Sequence, residues 1–273
     1  MSSSPVEAGE RGREIAYGEV RLGFLEERTR ILEALERDEN RHIVLRLIGA
    51  LAFRTHCPQF GHLQEALGRP FTDIDFASYR RFFRDIQRLF AALGYHEDKM
   101  VSRLFGESRM LFHDPVHGRH VDIFFDRLHF SHVLPLNGRL EIDRPTLPLA
   151  ELLLEKMQIV KINEKDLIDT IMLLREHPVG DGDIETVNAA IVTGLTSQDW
   201  GLWRTVTANL TLTKEFLARY PQLADDDRRI VAARLDELRQ RIDASPKSVP
   251  WKLRARIGDH LKWYEDVEEL ADR

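Results

Sequence analysis

The sequence predicts an α+β fold in which a domain of alternating strands and helices precedes a helical C-terminal domain. Short β-branched runs bounded by turn residues alternate with amphipathic stretches over the first half of the chain. Past Pro145 and Pro148 the composition changes to helix formers with almost no strand signal. A chain of 273 residues also has room for two domains of roughly 100 to 200 residues. We therefore expect domains at 1–144 and 145–273.

The first elements are a helix, a strand and a second helix. From Glu19 to Glu39 apolar residues recur at helical spacing among many charges, which is typical of an amphipathic helix. The apolar, β-branched run His42–Ile48 predicts a strand that ends at Gly49. The good helix formers Ala50–Arg54 follow directly.

A strand, a helix and a hairpin complete the first domain. After a loop-like segment that ends at Pro70, the run Thr72–Ala77 predicts a strand. An amphipathic helix follows, and Gly94 is expected to end it. Its apolar face consists of Phe82, Phe83, Ile86, Leu89, Phe90 and Leu93. The runs Met110–His113 and Arg119–Phe125 flank turn residues and predict a hairpin.

Composition argues against several classes of protein. The hydrophobic share of 43% and the charged share of 31% are ordinary for a soluble protein, and no segment reaches the ~20 apolar residues that cross a bilayer. The N-terminal residues lead into charge, unlike a signal peptide. Cys57 is the only cysteine, which favours a cytoplasmic protein. A net charge of −6 argues against a protein that coats nucleic acid.

Two carboxylates stand in the apolar strand predicted over Thr72–Ala77. Residues two apart in a strand point to the same face, so Asp73 and Asp75 are expected side by side. Such charges repel each other and are costly in a dry setting unless a cation joins them. Asp122, in a later strand, can complete an oxygen cage for Mg²⁺, with Asp126 as a second candidate. The pattern predicts a metal site suited to phosphoryl transfer.

The turn after the first predicted strand is a candidate phosphate-binding site. Gly49 allows close approach of the backbone, and the helix start that follows offers free N–H groups. The turn is a candidate because of its place in the order: strand, glycine, paired aspartates, third aspartate.

These motifs resemble the nucleotidyltransferase fold of the DNA polymerase β superfamily. Its signature is an apolar strand with Gly-Gly or Gly-Ser at a helix start, Asp-x-Asp on the next strand and a third carboxylate on a later one. The matching segments are Ile48-Gly49-Ala50-Leu51-Ala52, Thr72-Asp73-Ile74-Asp75-Phe76 and Val121-Asp122-Ile123.

The second half of the resemblance is to the AbiEii-like branch of abortive-infection and toxin–antitoxin nucleotidyltransferases. That branch has a lysine on one helix and an Arg/Lys-Asp-x-x-Asp pattern on the next. The similar segments here are Leu152–Gln158 and Glu164–Thr170. The resemblance covers about Ile43 to Leu174.

The resemblance implies a mixed-sheet core and transfer of a nucleoside monophosphate from a nucleoside triphosphate to an acceptor hydroxyl. It implies that Asp73 and Asp75 hold Mg²⁺ or Mn²⁺ on the triphosphate. Asp122 would help to ligate the catalytic metal and would activate the hydroxyl.

Further roles follow from the same resemblance. Gly49 and Ala50 would face the phosphates, and Lys156 would offset charge on the triphosphate in the transition state. Asp166 or Asp169 would orient that lysine or the acceptor. The acceptor classes implied are tRNA, a protein hydroxyl and a small molecule, and an antitoxin protein is an implied partner.

One residue departs from the pattern. Ala50 stands where the family has a second Gly or Ser, so a hydroxyl contact to phosphate is absent. This favours a rival hypothesis, a non-catalytic nucleotide-binding regulatory module. A third hypothesis is a toxin–antitoxin interaction scaffold without metal at Asp73, Asp75 and Asp122.

Structural alternatives exist for the candidate site residues. The paired aspartates are also explained as solvated charges at a strand end. Asp166 suits the start of a helix that Asn163 caps, and Asp169 can pair with Lys165 four residues earlier. Lys161 and Lys165 compete for the role of the catalytic lysine.

Three other groups of residues are candidates for chemical or binding roles. The histidines suggest a transition metal, although their spacing matches no zinc signature: His113, His117, His120, His129 and His132. Cys57 beside His56 is either a nucleophile pair or a buried small residue. Basic residues alternate with tryptophans near the C-terminus, which fits an RNA-docking helix or tryptophans packed on the helices. They are Lys247, Trp251, Lys252, Arg254, Arg256, Lys262 and Trp263.

Overall fold

A computed structural model describes Val20 and residues 23–266. The predicted N-terminal helix is confirmed as α1 over residues 23–35. Glu19, Arg21 and Leu22, part of the same prediction, lie outside the described residues. Ile31 and Leu35 are buried in the core, while Arg30 points outward to pair with Glu27. The amphipathic spacing therefore positions α1 against the rest of the fold.

A five-stranded mixed sheet is the framework of the first half of the chain, in the order β1-β2-β5-β4-β3. Its strands are β1 (Leu45–Ile48), β2 (Ile74–Ser78), β3 (His96–Glu97), β4 (Arg109–His113) and β5 (His120–Phe125). Strands β2 and β5 are parallel, whereas the pairs β1–β2, β4–β5 and β3–β4 are antiparallel. The predicted α+β class and the predicted hairpin are confirmed.

The central strands have one buried face and one partly open face. Side chains alternate between the faces, and β4 and β5 follow this rule closely in their burial. The buried face consists of Ile74, Phe76, Met110, Phe112, Val121, Ile123 and Phe125. Phe90 of the covering helix lies edge-on to Phe76 and stacks on Phe112, with ring centroids 4.7 Å apart in the stacked pair. The opposite face carries the charged residues of β2, β4 and β5.

Four helices connect the strands of the sheet. They are α2 (Gly49–His56), α3 (His62–Ala66), α4 (Phe83–Ala92) and α5 (Lys99–Phe105). The predicted amphipathic helix is confirmed as α4, preceded by a 3₁₀ turn at Arg80–Phe82. Gly94 ends it with a φ of +86°, a left-handed conformation that favours glycine.

Helices dominate the second half of the chain, as predicted. They are α6 (Leu149–Met157), α7 (Glu164–Glu176), α8 (Ala189–Gln198), α9 (Trp200–Leu217), α10 (Asp225–Ala244) and α11 (Val249–Ile257). Asn163, Asn188, Asp199 and Ser248 cap four of them through side-chain acceptors. Short strands lie before and among the helices: β6 (Arg127–His129), β7 (Val133–Pro135), β8 (Val179–Gly180) and β9 (Val187–Asn188). The two-residue pair β8–β9 is too short to leave a sequence pattern.

Strand β1 is bonded on both sides. On one side it pairs with β2, and on the other Leu47 donates to Pro145 O at 2.9 Å and accepts from Leu147 N at 3.2 Å. Helices α6 and α7 both pack against α2. The division into domains at 1–144 and 145–273 stays a prediction. In the described part of the chain, no helix combines the length and apolar character needed to span a membrane.

Candidate active site

Asp75 and Asp122 face each other across the parallel strands β2 and β5. They are direct register partners, so their side chains emerge on the same face of the sheet. The expectation that Asp73 lies within the strand is wrong, because β2 begins at Ile74. Pairing of β2 with β1 starts at Asp75, since β1 ends at Ile48, and Asp73 remains exposed. Asp73 is nonetheless close enough for its charge to act on Asp75.

The turn between β1 and α2 lies directly against Asp75. Gly49 has a φ of +66°, and a Cβ atom added there would be 2.5 Å from Asp75 Oδ2. The position therefore requires glycine for both its backbone conformation and its space. Gly49 N donates to Glu155 Oε2 at 3.1 Å. Ala50 is buried behind the turn, and its carbonyl accepts from Gln64 Nε2.

The Asp75 carboxylate lacks a close counter-charge. Among the residues that the structure describes, none donates a hydrogen bond to it or forms an ion pair with it. Burial raises the pKa of Asp75 well above the ordinary value, and the charges of Asp73, Asp122 and Glu155 raise it further. The more distant Lys156 acts in the opposite direction. A carboxylate in this setting favours binding of a cation.

Asp122 is held by an arginine that the sequence reasoning missed. Arg109 donates from Nε to Oδ1 and from NH2 to Oδ2, both at 2.6 Å. Arg109 pairs in register with Phe124, two residues beyond Asp122, so the two residues are diagonal neighbours on one face. The predicted hairpin strand began at Met110, whereas β4 begins one residue earlier, at Arg109. The third carboxylate is therefore neutralised, unlike Asp75.

Lys156 is buried among carboxylates of α6 and α7. Its Nζ lies 3.0 Å from Glu155 Oε1, 3.2 Å from Asp166 Oδ1 and 3.9 Å from Asp169 Oδ2. Burial alone would lower the pKa of Lys156, but these three carboxylates outweigh it and raise the pKa. The lysine is therefore held in its charged form. The structure brings together the three residues that the resemblance linked.

Asp169 is the most deeply buried of these carboxylates. Its side chain is fully buried and accepts from Arg69 Nε and NH2 at 3.2 and 3.1 Å and from Gln64 Nε2 at 2.8 Å. The alternative that it pairs with Lys165 is wrong, because Lys165 is on the exposed side of α7. No sequence pattern indicated these two partners, because Arg69 and Gln64 precede Asp169 by 100 and 105 residues.

Asp166 combines two contacts. Its backbone N–H donates to Asn163 Oδ1 at 3.1 Å, so the predicted N-cap is confirmed, while its carboxylate faces Lys156. The competing lysines Lys161 and Lys165 are both exposed. Lys161 pairs with Asp266 instead, which leaves Lys156 as the lysine that lies among the candidate carboxylates.

The histidines and the cysteine lie elsewhere. In the part of the chain that the structure describes, none of the five histidines belongs to a cluster of three potential metal ligands. His113 and His120 are paired across β4 and β5, with ring centroids 4.7 Å apart. Asp126 leaves the strand in a left-handed conformation and accepts from Arg80 N. Burial raises the pKa of the Cys57 thiol, so the expectation of a buried small residue is confirmed.

The tryptophans near the C-terminus pack against α9. Trp251 contacts Trp203, with centroids 5.1 Å apart, and Trp263 contacts Trp200 at 6.1 Å. Arg254 lies over the Trp200 ring. The tryptophan rings are therefore packed on the helices, as one of the two alternatives expected. Binding of RNA by the neighbouring basic residues stays a prediction.

Comparison with protein-family models, curated proteins and solved structures found no match to this chain. The chemistry open to the site therefore follows from its own residues. Asp75 and Asp122 lie on the open face of two inner strands, next to a glycine turn at a helix start, and the charge of Asp73 acts on Asp75. The one group of three potential ligands within 4.8 Å of one another among the described residues does not include them. The buried, charged Lys156 is close enough for its charge to act on Asp75. Carboxylate oxygens of this kind suit Mg²⁺ or Mn²⁺ and a phosphate-bearing ligand.

Proposed function

We propose that this chain is a metal-dependent nucleotidyltransferase that moves a nucleoside monophosphate from a nucleoside triphosphate to an acceptor hydroxyl. The observation that carries the proposal is the register of Asp75 opposite Asp122, with Gly49 packed against Asp75. This arrangement combines a carboxylate pair with a backbone turn that has no side chain to exclude a phosphate. Both features are needed where a metal–triphosphate complex binds.

The residues present fit Mg²⁺ or Mn²⁺. Asp75 lacks a partner and feels three like charges, so a divalent cation would relieve the cost of its burial. Asp73 and Asp75 would hold this ion on the triphosphate. Asp122 would help to bind a second ion once Arg109 releases one of the two carboxylate oxygens of Asp122. Bound metal of this kind supplies charge neutralisation at the phosphates and makes an acceptor hydroxyl more acidic.

The chain's own residues would divide the work of transfer. The acceptor oxygen forms a bond to the α-phosphorus while the bond from that phosphorus to the bridging oxygen breaks. Pyrophosphate leaves with the electron pair, and the hydroxyl proton passes to Asp122. Because Arg109 donates two hydrogen bonds to Asp122, it sets the orientation of this base.

Lys156 would supply the fixed positive charge. The neighbouring carboxylates keep it protonated, and Asp166 and Asp169 hold its position. A charge that is already oriented stabilises a developing negative charge without reorganisation. Gly49, followed by Ala50, lets the phosphates approach the start of α2.

A label-transfer assay tests the proposal. The purified chain is incubated with each α-labelled nucleoside triphosphate and Mg²⁺ or Mn²⁺, together with total tRNA, cell protein or an aminoglycoside-like small molecule. We expect label on one acceptor class, with tRNA the first candidate as in toxin-type proteins. Asp75→Asn should lower transfer at least about a hundredfold, because loss of a metal ligand removes several kcal/mol of stabilisation. The exposed Asp38→Asn serves as the control of matched charge.

A second candidate function is favoured by the Arg109–Asp122 pair together with Ala50. A third carboxylate held by a guanidinium, beside a turn without a hydroxyl, suits a module that binds a nucleotide without transferring it. The same chain would then act as a regulatory module or as a scaffold for an antitoxin protein. Nucleotide binding without transfer, unchanged in Asp75→Asn, favours the module. Tight binding of a protein partner with neither nucleotide nor metal favours the scaffold.

A further inference from the structure

Three potential metal ligands converge at a place remote in sequence from the aspartates. One ligand atom each of His56, His177 and Glu185 lies within 4.8 Å of the other two, the one such group of three among the described residues. His56 is the last residue of α2, His177 follows α7, and Glu185 lies between β8 and β9. Three separate elements thus meet at this point.

The hydrogen bonds of His56 define which of its nitrogens carries the proton. Thr146 Oγ1 lies within hydrogen-bond distance of His56 Nε2 and can accept from it while its own proton goes to Leu147 O at 2.8 Å. Asp143 Oδ2 lies 3.3 Å from the same nitrogen. Nε2 is therefore the protonated nitrogen, and a neutral ring has its lone pair at Nδ1.

His177 presents a sharper problem. Its Nε2 lies 3.0 Å from His56 O, a carbonyl that can only accept, so Nε2 must donate. Its Nδ1 lies 3.3 Å from both the backbone oxygen and the Oε2 atom of Glu185, which are also acceptors. A neutral imidazole would point a lone pair at two oxygens. Only a cation at Nδ1 makes this arrangement favourable.

We propose that His56, His177 and Glu185 form a binding site for a divalent transition metal, with Zn²⁺ as the preferred ion. Two imidazole nitrogens and a carboxylate oxygen are a ligand set typical of zinc, which takes water as a fourth ligand. Both histidines bond through Nε2 to a carboxylate, hydroxyl or carbonyl, as ligating histidines usually do through their second nitrogen. Their Nδ1 atoms are the nitrogens assigned to the metal.

The backbone and exposure of the three residues suit an ion that enters from solvent. Glu185 has a φ of +46°, and this left-handed conformation turns its carbonyl and its carboxylate towards the same nitrogen of His177. The side chains of His56 and His177 are 8% and 5% exposed, whereas that of Glu185 is 67% exposed. The exposed carboxylate would therefore complete the site of an ion held by the two buried rings.

The bound ion would fasten α2 to α7. Gly49 begins α2, and α7 carries Asp166 and Asp169, so the metal would join the far ends of two helices that both contribute to the candidate active site. Its role is structural, and it does not depend on the proposed nucleotidyl transfer. Mg²⁺ is a poor competitor here, because it prefers oxygen ligands in near-octahedral geometry.

Zinc titration of the full chain tests the site. Chain stripped with a chelator and dialysed is titrated with Zn²⁺ in competition with a chromophoric chelator, and its Tm is followed. We expect one tight Zn²⁺ per chain and a rise in Tm. Glu185→Gln, at an exposed position, should weaken zinc binding at least about tenfold. Asp181→Asn removes the same charge from the same segment and should bind as the wild type does.

Asp75→Asn separates this site from the proposed active site, since it should keep the tight zinc. Equal zinc affinity in Glu185→Gln and the wild type would overturn the proposal, as would loss of the tight zinc in Asp75→Asn. Absence of stoichiometric zinc, with a Tm that does not respond to Zn²⁺, would also overturn it.

Discussion

Two clusters of charge, one on the open face of the sheet and one on α6 and α7, differ in how they are balanced. In the Lys156 cluster, the carboxylates Glu155, Asp166 and Asp169 surround one lysine, and Arg69 adds a second cation. In the strand cluster, Arg109 neutralises Asp122, but Asp75 has no such partner. The Lys156 cluster therefore contains its own cations, whereas Asp75 is the carboxylate at which we expect an added cation to bind.

The balanced cluster should be the more important of the two for stability. Asp169→Ala removes the carboxylate that accepts from Arg69 Nε and NH2 inside the protein, and breaking a buried pair in this way costs about 3–5 kcal/mol of unfolding free energy. Urea unfolding measures this. Asp236→Ala, which breaks an exposed pair with Lys214, should cost about 1 kcal/mol or less. Equal losses in the two variants would remove the distinction between the clusters.

The second-largest loss of stability is expected where Gly49 contacts Asp75. Gly49→Ala combines a left-handed backbone with a Cβ 2.5 Å from Asp75 Oδ2, and should cost about 1–3 kcal/mol. Gly118→Ala is a matched control, because Gly118 has the same φ of +66° but nothing within 4 Å of its added Cβ. Its cost should stay near the backbone strain alone, about 1–2 kcal/mol. Thermal melts in chelator compare the two, and the larger loss should be at Gly49.

Removal of the arginine tests whether the strand cluster is short of positive charge. Arg109→Gln frees Asp122, so Mn²⁺ should bind about tenfold more tightly, the lower end of what one neighbouring charge does to a carboxylate. Binding is measured by calorimetry in chelator-treated protein. Arg103→Gln, on the exposed side of α5, controls for net charge. Weaker Mn²⁺ binding in Arg109→Gln alone would mean that the arginine organises the site instead of competing with the ion.

The pH dependence of stability gives the finest comparison. The pKa of Asp75 is raised in the folded chain by burial and by nearby like charges, so the folded chain keeps this proton after the unfolded chain has released it. The contribution of Asp75 to the stability of the metal-free wild type should therefore fall as the pH rises above the ordinary aspartate pKa of 3.8. Asp75→Asn lacks this fall. The Tm difference, variant minus wild type, should grow with pH and then level off; a constant difference contradicts it.

Local sequence patterns were sufficient to predict most of the elements. Strand β1, the turn at Gly49, helix α4 and the β4–β5 hairpin each come from a run of residues whose spacing matches one type of structure. The start of β2 was misplaced because Thr72 and Asp73 continue the same pattern while the neighbouring strand has already ended. Patterns describe what a segment can form, and its partners decide where it stops.

The partners of the charged residues were harder to predict from the sequence than the helices and strands. Asp75 and Asp122 stood out because a carboxylate is unusual in an apolar strand, and their register then followed from the sheet. Arg69, Glu155 and Arg109 gave no such signal, because charged residues are ordinary at helix surfaces and strand starts. Arg69 meets Asp169 across a hundred residues of chain. Pairing over that distance depends on how α7 packs against α2 and α3.

The bonding of Leu47 to Pro145 and Leu147 has a practical consequence for dissection of the chain. This segment covers the outer side of β1, so the sheet offers no free edge there, and its other edge is the two-residue β3. A fragment cut at residue 144 would leave the N–H and C=O of Leu47 without these partners on the buried strand Leu45–Ile48. Such an edge is a template for strand addition. Residues 1–144 produced alone should therefore self-associate, whereas a fragment that extends through Leu147 should keep the edge covered.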